Sequence, residues 1–307
     1  MAEEGGDGWS RPGGLDQLIT GAIDTHAHGY PEFSLQHHAR LDDVRLLVAM
    51  RDAGIAGIVM KSHLWPTMDR AYYVHQQVPE VRIYPSITLN SVVGGVDPDV
   101  VEAAASLGAK VVFFPTWTSH NDRSRQGIST MIQGRFASFV NDRGPGVEVT
   151  SGDRLKPEAE AVLDVAKERG LLVQTGHISI GEALLVCAGA RDRGVPVVLS
   201  HPTSRIIGAS LEQLKQAVAL GAFVEFCVLH GFSLFHAIPP AETAWIIKEL
   251  GAEHCILSTD SFNDWAPPEP EMLRMGAGQL LSCGLSEGEV RLLIHDNPRR
   301  ALRLSAN

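Results

Sequence analysis

The chain repeats one pattern along most of its length. An amphipathic stretch stops at a small residue plus glycine, a short apolar run follows, and a polar residue closes the run. Six segments have this form: DAGIAGIVMK (52–61), LGAKVVFFPT (107–116), RGLLVQTGH (169–177), RGVPVVLSH (193–201), LGAFVEFC (220–227) and LGAEHCILSTD (250–260). GAIDTHAH (21–28) and VRIYPSITLN (81–90) complete the set without the glycine stop. Glycine just past a helix fits the left-handed C-cap. Continuous runs rich in Val and Ile suit parallel strands covered on both faces. Between the runs, 41–53 and 157–169 place apolar residues at three- and four-residue spacing and read as helices. Further helices are predicted over 180–192, 210–219, 240–250, 269–283 and 286–295. Eight strands alternating with helices predict an α/β chain closed into a (β/α)8 TIM barrel, one domain spanning 21–307.

Two stretches depart from the pattern. Residues 1–20 begin MAEEGGDGWSRPGG, acidic and glycine-rich without the basic and apolar regions of a secretory signal, and read as a loose leader. A long interval over about 115–156 follows the fourth run. A loop of that length is usually functional or disordered, and this one would hang over the strand ends, as a lid or as a surface elaboration without function. The net charge of −10 argues against nucleic acid as a partner, because phosphate binding requires clustered Lys and Arg. No apolar run approaches the roughly 20 residues that span a bilayer. Four scattered cysteines, with no CxxC pair, read as free thiols in a reducing, cytoplasmic setting.

In such a barrel, function collects at the carboxyl ends of the strands. His26 and His28 close the first run and, two residues apart, project to one face of a strand. Lys61 closes the second run, with His63 just beyond. His177 closes the fifth, His201 the sixth and Asp260 the eighth. The third run offers Asn90, the fourth Thr116 or Trp117, and the seventh carries Glu225. One histidine at a strand end is ordinary. Four histidines and an aspartate at equivalent points of separate repeats read as a metal site, since neutral imidazole and carboxylate are the donors that zinc and similar divalent ions prefer. A carboxylate that touches both metal and water can accept a proton and return it to a leaving group, which is the role expected of Asp260.

The ordered set, HxH in IDTHAH, His in QTGH, His in LSHP and Asp in LSTD, resembles the amidohydrolase superfamily of metal-dependent hydrolases, and the ending HDNPRRALRL resembles its C-terminal helix. The resemblance spans about 21–304. It implies that His26, His28 and Asp260 bind one ion. His177 and His201 would bind a second ion or, with one metal, supply one ligand and one transition-state contact. One or two divalent ions are expected, zinc first, with manganese or iron as alternatives. Two-metal members place a carboxylated lysine or a glutamate at the fourth strand, where VVFFPTWT has neither. Lys61 is the expected substitute, as a carboxylated bridge; a free ammonium holding a substrate carboxylate and a structural ion pair are the rivals, and Glu225 is the fallback ligand.

The expected activity is hydrolysis of an amide, lactone, carbamate or related carbonyl bond in a small molecule. Asp260, His201 and His177 are the expected catalytic groups. A one-metal lyase such as a decarboxylase, and a silent ligand-binding barrel, are the alternatives. His63, Arg205 and Trp117 are the candidate substrate contacts, with Arg123, Arg125, His37, His38 and Trp65 as weaker ones. A homo-oligomer is compatible with the sequence.

Overall fold

A computed structural model describes residues 14–37, 39–130 and 144–305. Eight parallel strands form the sheet: β1 (Ile23–His28), β2 (Gly57–Lys61), β3 (Arg82–Thr88), β4 (Val111–Phe113), β7 (Leu172–Gln174), β8 (Val197–Leu199), β9 (Phe223–Cys227) and β10 (Cys255–Ser258). A short antiparallel hairpin, β5 (Thr150–Ser151) and β6 (Arg154–Leu155), lies between β4 and β7. The sheet comes round on itself where the Asp260 N–H donates to the His26 carbonyl (2.7 Å) and the His28 N–H to that of Ser261 (3.3 Å). This is the expected (β/α)8 barrel.

The helices α1 (Gly14–Ile19), α2 (Asp43–Asp52), α3 (Met68–His75), α4 (Pro98–Ser106), α5 (His120–Ser124), α6 (Pro157–Arg169), α7 (Ile180–Arg193), α8 (Leu211–Ala219), α9 (Pro240–Leu250), α10 (Glu269–Ser282), α11 (Glu287–Arg291) and α12 (Asn297–Ala301) alternate with the strands. The expected helix over 286–295 is broken: α11 passes through a π-helical turn at Leu292–Asp296 into α12. Asn297 there donates to the carbonyls of Ala252 and Cys255, tying the chain's end to the start of β10. Gly170 and Gly194 cap their helices with φ of 64° and 68°, as the glycine stops required.

Inside the barrel, Val59, Val111, Phe113, Leu172, Val198 and Ile256 pack together, with Ala301 and Leu302 beneath them. Alternation places on the same face the residue two positions further along each strand. Val59 is succeeded by Lys61, Leu172 by Gln174, Val198 by Ser200, and Phe223 by Glu225 and Cys227. The interior thus turns from apolar to polar toward the carboxyl ends, and the polar layer is buried.

Two expectations are adjusted. Part of the leader is ordered, because Gly14–Ile19 forms α1 with Leu18 and Ile19 buried; residues 1–13 lie outside the described residues. In the long interval, α5 and the hairpin are regular, residues 131–143 lie outside the described residues, and Thr116, Trp117, Thr118, Ser119, Asn121 and Asp122 are buried against the strand ends. No helix among the described residues is long and apolar enough to cross a membrane. The four cysteines are unpaired, three of them buried.

Candidate active site

The first strand carries an irregularity where its chemistry begins. The β1–β2 register slips between Asp24 and Ala27, a bulge of the kind that re-aims side chains near functional sites. Neighbours on a regular strand face opposite ways, yet here Thr25 and His26 both reach Glu225. The Thr25 hydroxyl donates to one carboxylate oxygen (3.0 Å), and His26 Nδ1 meets the other at 2.8 Å. Glu225, the fallback ligand of the sequence reading, therefore backs His26 from below and leaves its Nε2 toward the centre.

Asp260 is the meeting point. Its Oδ1 lies 3.0 Å from His26 Nε2 and 3.1 Å from His28 Nε2, and its Oδ2 lies 3.0 Å from His230 Nε2 and 4.0 Å from His201 Nε2. Asp260 and His201 both hold left-handed backbone, with φ of 53° and 31°. Such conformations in non-glycine residues cluster at functional sites, where surrounding structure enforces them.

Lys61 is fully buried, its Nζ 2.8 Å from His26 Nε2 and 5.0 Å from the centre of the Phe113 ring. Phe113 ends β4 and its ring also lies 5.4 Å from that of His26, so an aromatic face stands where the fourth strand lacks a bridging group. His177 is positioned from the long interval: Asp122 Oδ2 takes its Nδ1 at 2.7 Å, while Ser119 and Asn121 donate to its carbonyl. Gly176, before it, has φ of 59°, and a Cβ there would collide with the Phe114 carbonyl, so glycine is required for the turn. His63 stacks on His28 with ring centres 4.5 Å apart, and Glu32 Oε1 serves both, at 2.7 Å from His63 Nδ1 and 3.2 Å from His28 Nδ1.

The structure thus brings His26, His28, Lys61, His63, His177, His201 and Asp260 to one end of the barrel. His63, His177, His201 and Asp260 line a pocket there with His230, Ile128, Ile206, Phe235 and Phe262. Trp117 is not among its lining residues; it is buried, its indole N–H donating to the His63 carbonyl. Arg205 stands outside this pocket, on the rim. Trp65 is exposed and His38 lies outside the described residues, whereas His37 is held by the Phe262 carbonyl. Glu32, Asp122 and His230 were missed. His230 had a usable signal, three residues beyond the seventh strand; Glu32 and Asp122 sit in loops, with no periodicity to place them.

The donor set suits a divalent ion on two observations. Ligand atoms of His26, His201 and Asp260 lie within 4.8 Å of one another, as do those of His28, Glu32 and His63 and those of Cys227, His230 and Asp260. His201 Nδ1 and Glu32 Oε2 are buried without a hydrogen-bond partner among the described residues. For two of the histidines the electrostatics agree. Burial, with the neighbouring histidine His230, holds His201 well below the usual imidazole range, and burial with Lys61 does the same to His63, so both are neutral donors. Burial also opposes charge on His26, but Asp260 and Glu225 outweigh it and raise it to about 9. Against its burial, Asp260 is held well below the carboxylate range by His26 and its hydrogen bonds to His230, His26 and His28.

A family model described as a family of unknown function, DUF6282, matches residues 21–225. The chain belongs to this family. No curated protein matches the DUF6282 chain. Among solved structures, it resembles an amidohydrolase from Pseudomonas aeruginosa (TM-score 0.65, 14% identity, 94% of this chain and 97% of that one). It also resembles a putative 2-pyrone-4,6-dicarboxylic acid hydrolase from Pseudomonas putida (0.57, 17%, 94% and 99%) and a 2,6-dihydroxybenzoate decarboxylase from Rhizobium (0.55, 11%, 94% and 100%). The resemblance to the amidohydrolase superfamily holds in the fold, over nearly the whole length of both chains.

Proposed function

We propose that this DUF6282 protein is a metal-dependent hydrolase that cleaves an amide, lactone, carbamate or related carbonyl bond of a small molecule. The carrying observation is Asp260, one carboxylate reached by His26, His28 and His230 and lining a pocket at the strand ends. His26, His28, His201 and Asp260 would hold the first ion, zinc before manganese or iron. When bound, the ion supplies Lewis acidity and a water of lowered pKa. Asp260 accepts the proton of the attacking water at a carboxylate oxygen and returns it to the leaving group. Asp122 accepts from Nδ1–H of His177, and burial keeps this ring neutral, so its Nε2 presents a lone pair to the centre as a ligand for a second ion. Glu225 and Glu32 keep His26 and His28 in their orientations.

Lys61 has two roles open to it. Burial pulls its ammonium down from the ordinary lysine range. Addition of Nζ to CO2, forming an N–C bond with loss of a proton to solvent, would make it an anionic bridge between two ions; unmodified, it would hold a substrate carboxylate as a point charge. Phe113 at the end of β4 favours a second reading, a one-metal lyase such as a decarboxylase, because it supplies no bridging oxygen. The proteins compared include one named as a hydrolase and one named as a decarboxylase, and both readings suit a cytoplasmic enzyme of small molecules.

The test is elemental analysis of the purified protein, then chelation, reloading with zinc, manganese or iron, and assay against panels of esters, lactones, amides and aromatic carboxylates. Two ions per chain with metal-dependent hydrolysis is the expected result. One ion with CO2 release establishes the lyase. Metal-free protein that no ion activates leaves a silent binding barrel.

A further inference from the structure

The deep pocket shares part of its lining with a second one on the rim. The outer pocket is lined by Arg125, Arg205 and His236 together with Ile128, Ile206 and Phe235, and the last three also line the deep pocket. A molecule seated over Asp260 and extending toward the rim along these apolar walls would meet two guanidinium groups.

We propose that the outer pocket binds an oxyanion carried by the substrate at the end remote from the cleaved bond, which makes the substrate class a small acid with a carboxylate or phosphate tail. The proposal rests on the hydrolase reading for the chemistry in the deep pocket, but the anion site stands on its own residues.

Arg125 and Arg205 line the same pocket, and Arg125 Nη1 donates to the Arg205 backbone carbonyl at 3.3 Å. Neither guanidinium meets a carboxylate among the described residues. This occurs in a chain with 36 acidic residues against 26 basic ones, where Arg70, Arg193 and Arg274 are each paired with an aspartate. Two like charges that line one pocket, with no counter-ion among the described residues, favour an oxyanion, which their planar donor forks can hold. His236 adds no third charge, because burial and then His230 and Arg205 push it down to about 3.

The placement also links the rim to the centre. Arg125 follows α5 three residues after Asp122, which holds His177, and Arg205 lies four residues after His201 on one loop. An anion gripped by both arginines would thus fix a substrate relative to His177 and His201.

Glutarate and inorganic phosphate serve as probes, titrated calorimetrically into the full chain, both metal-loaded and chelated. Binding by at least one probe is expected to survive chelation. It should weaken about tenfold in Arg125→Gln and in Arg205→Gln, with Arg205→Lys retaining part of it. Preference for glutarate assigns a carboxylate tail and preference for phosphate a phosphoryl tail. Equal affinity in the variants, binding abolished by chelation, or no binding of either probe overturns the proposal. Failure of the hydrolase reading shows separately, as metal-free protein without activity, and leaves this titration intact.

Discussion

Glu225 Oε2 lies 2.8 Å from His26 Nδ1, and this contact decides which nitrogen of His26 faces Asp260. Removing the charge while keeping the shape, as Glu225→Gln, is expected to lower metal affinity about 10- to 100-fold, the usual cost of losing such a supporting carboxylate. Thr25→Val, which deletes only the donor to the other oxygen, should cost less. Competition against a chromophoric chelator measures both, and unchanged affinity in Glu225→Gln would show that His26 needs no such support.

Asp260→Asn separates holding from turnover. Its backbone is left-handed, a conformation that asparagine tolerates as well as aspartate, so the loop survives the change. Turnover is expected to fall about 10²- to 10⁴-fold, the range attributed to a positioned proton-transfer group. Metal content should remain close to that of the parent. An active variant would remove Asp260 from the proton pathway.

Lys61 offers a direct spectroscopic test. Protein incubated with 13C-labelled bicarbonate should show a protein-bound carbamate carbon, and Lys61→Met should lack it. A parent protein without that signal leaves Lys61 as a free ammonium, and the two-metal form of the proposal then loses its bridge.

Glu269, at the start of α10, is raised by burial from 4.5 to about 8. An acid whose folded pKa lies above its unfolded value keeps a proton in the native state that the unfolded chain releases. Stability is therefore expected to fall as pH rises from about 4.5 to 8, by on the order of a few kcal/mol. Asp24, raised to about 6 chiefly by burial, adds to the decline over 3.8 to 6. Thermal melts across pH 5 to 8 should show the fall, and Glu269→Gln should flatten it.

Much of the barrel was legible because periodicity and glycine stops are local. Gly170 and Gly194 end their helices as expected, and His26, His28, His177, His201 and Asp260 reach one end of the sheet because equivalent points of repeated units do so in any such barrel. What escaped depends on contacts between distant residues. Glu32 and Asp122 act through hydrogen bonds to His63 and His177, 31 and 55 residues away, and no spacing in the chain announces them. Trp117 follows a strand end and so reads as a substrate contact, but its N–H found the His63 carbonyl and drew the ring inside. The bulge at Thr25 was equally invisible, since it is a property of the β1–β2 pairing rather than of either strand.

The seam between the first and last strands has a further consequence. His26 and His28 emerge near the beginning of the chain and Asp260 more than 230 residues later, and backbone bonds between His26 and Asp260 close the circle. A nascent chain ending at residue 225, the limit of the family match, carries His26, His28, His63, His177 and His201 but neither His230 nor the carboxylate of Asp260. The cluster around Asp260 is thus assembled late in biosynthesis, only once the last strand has been made and has closed the ring.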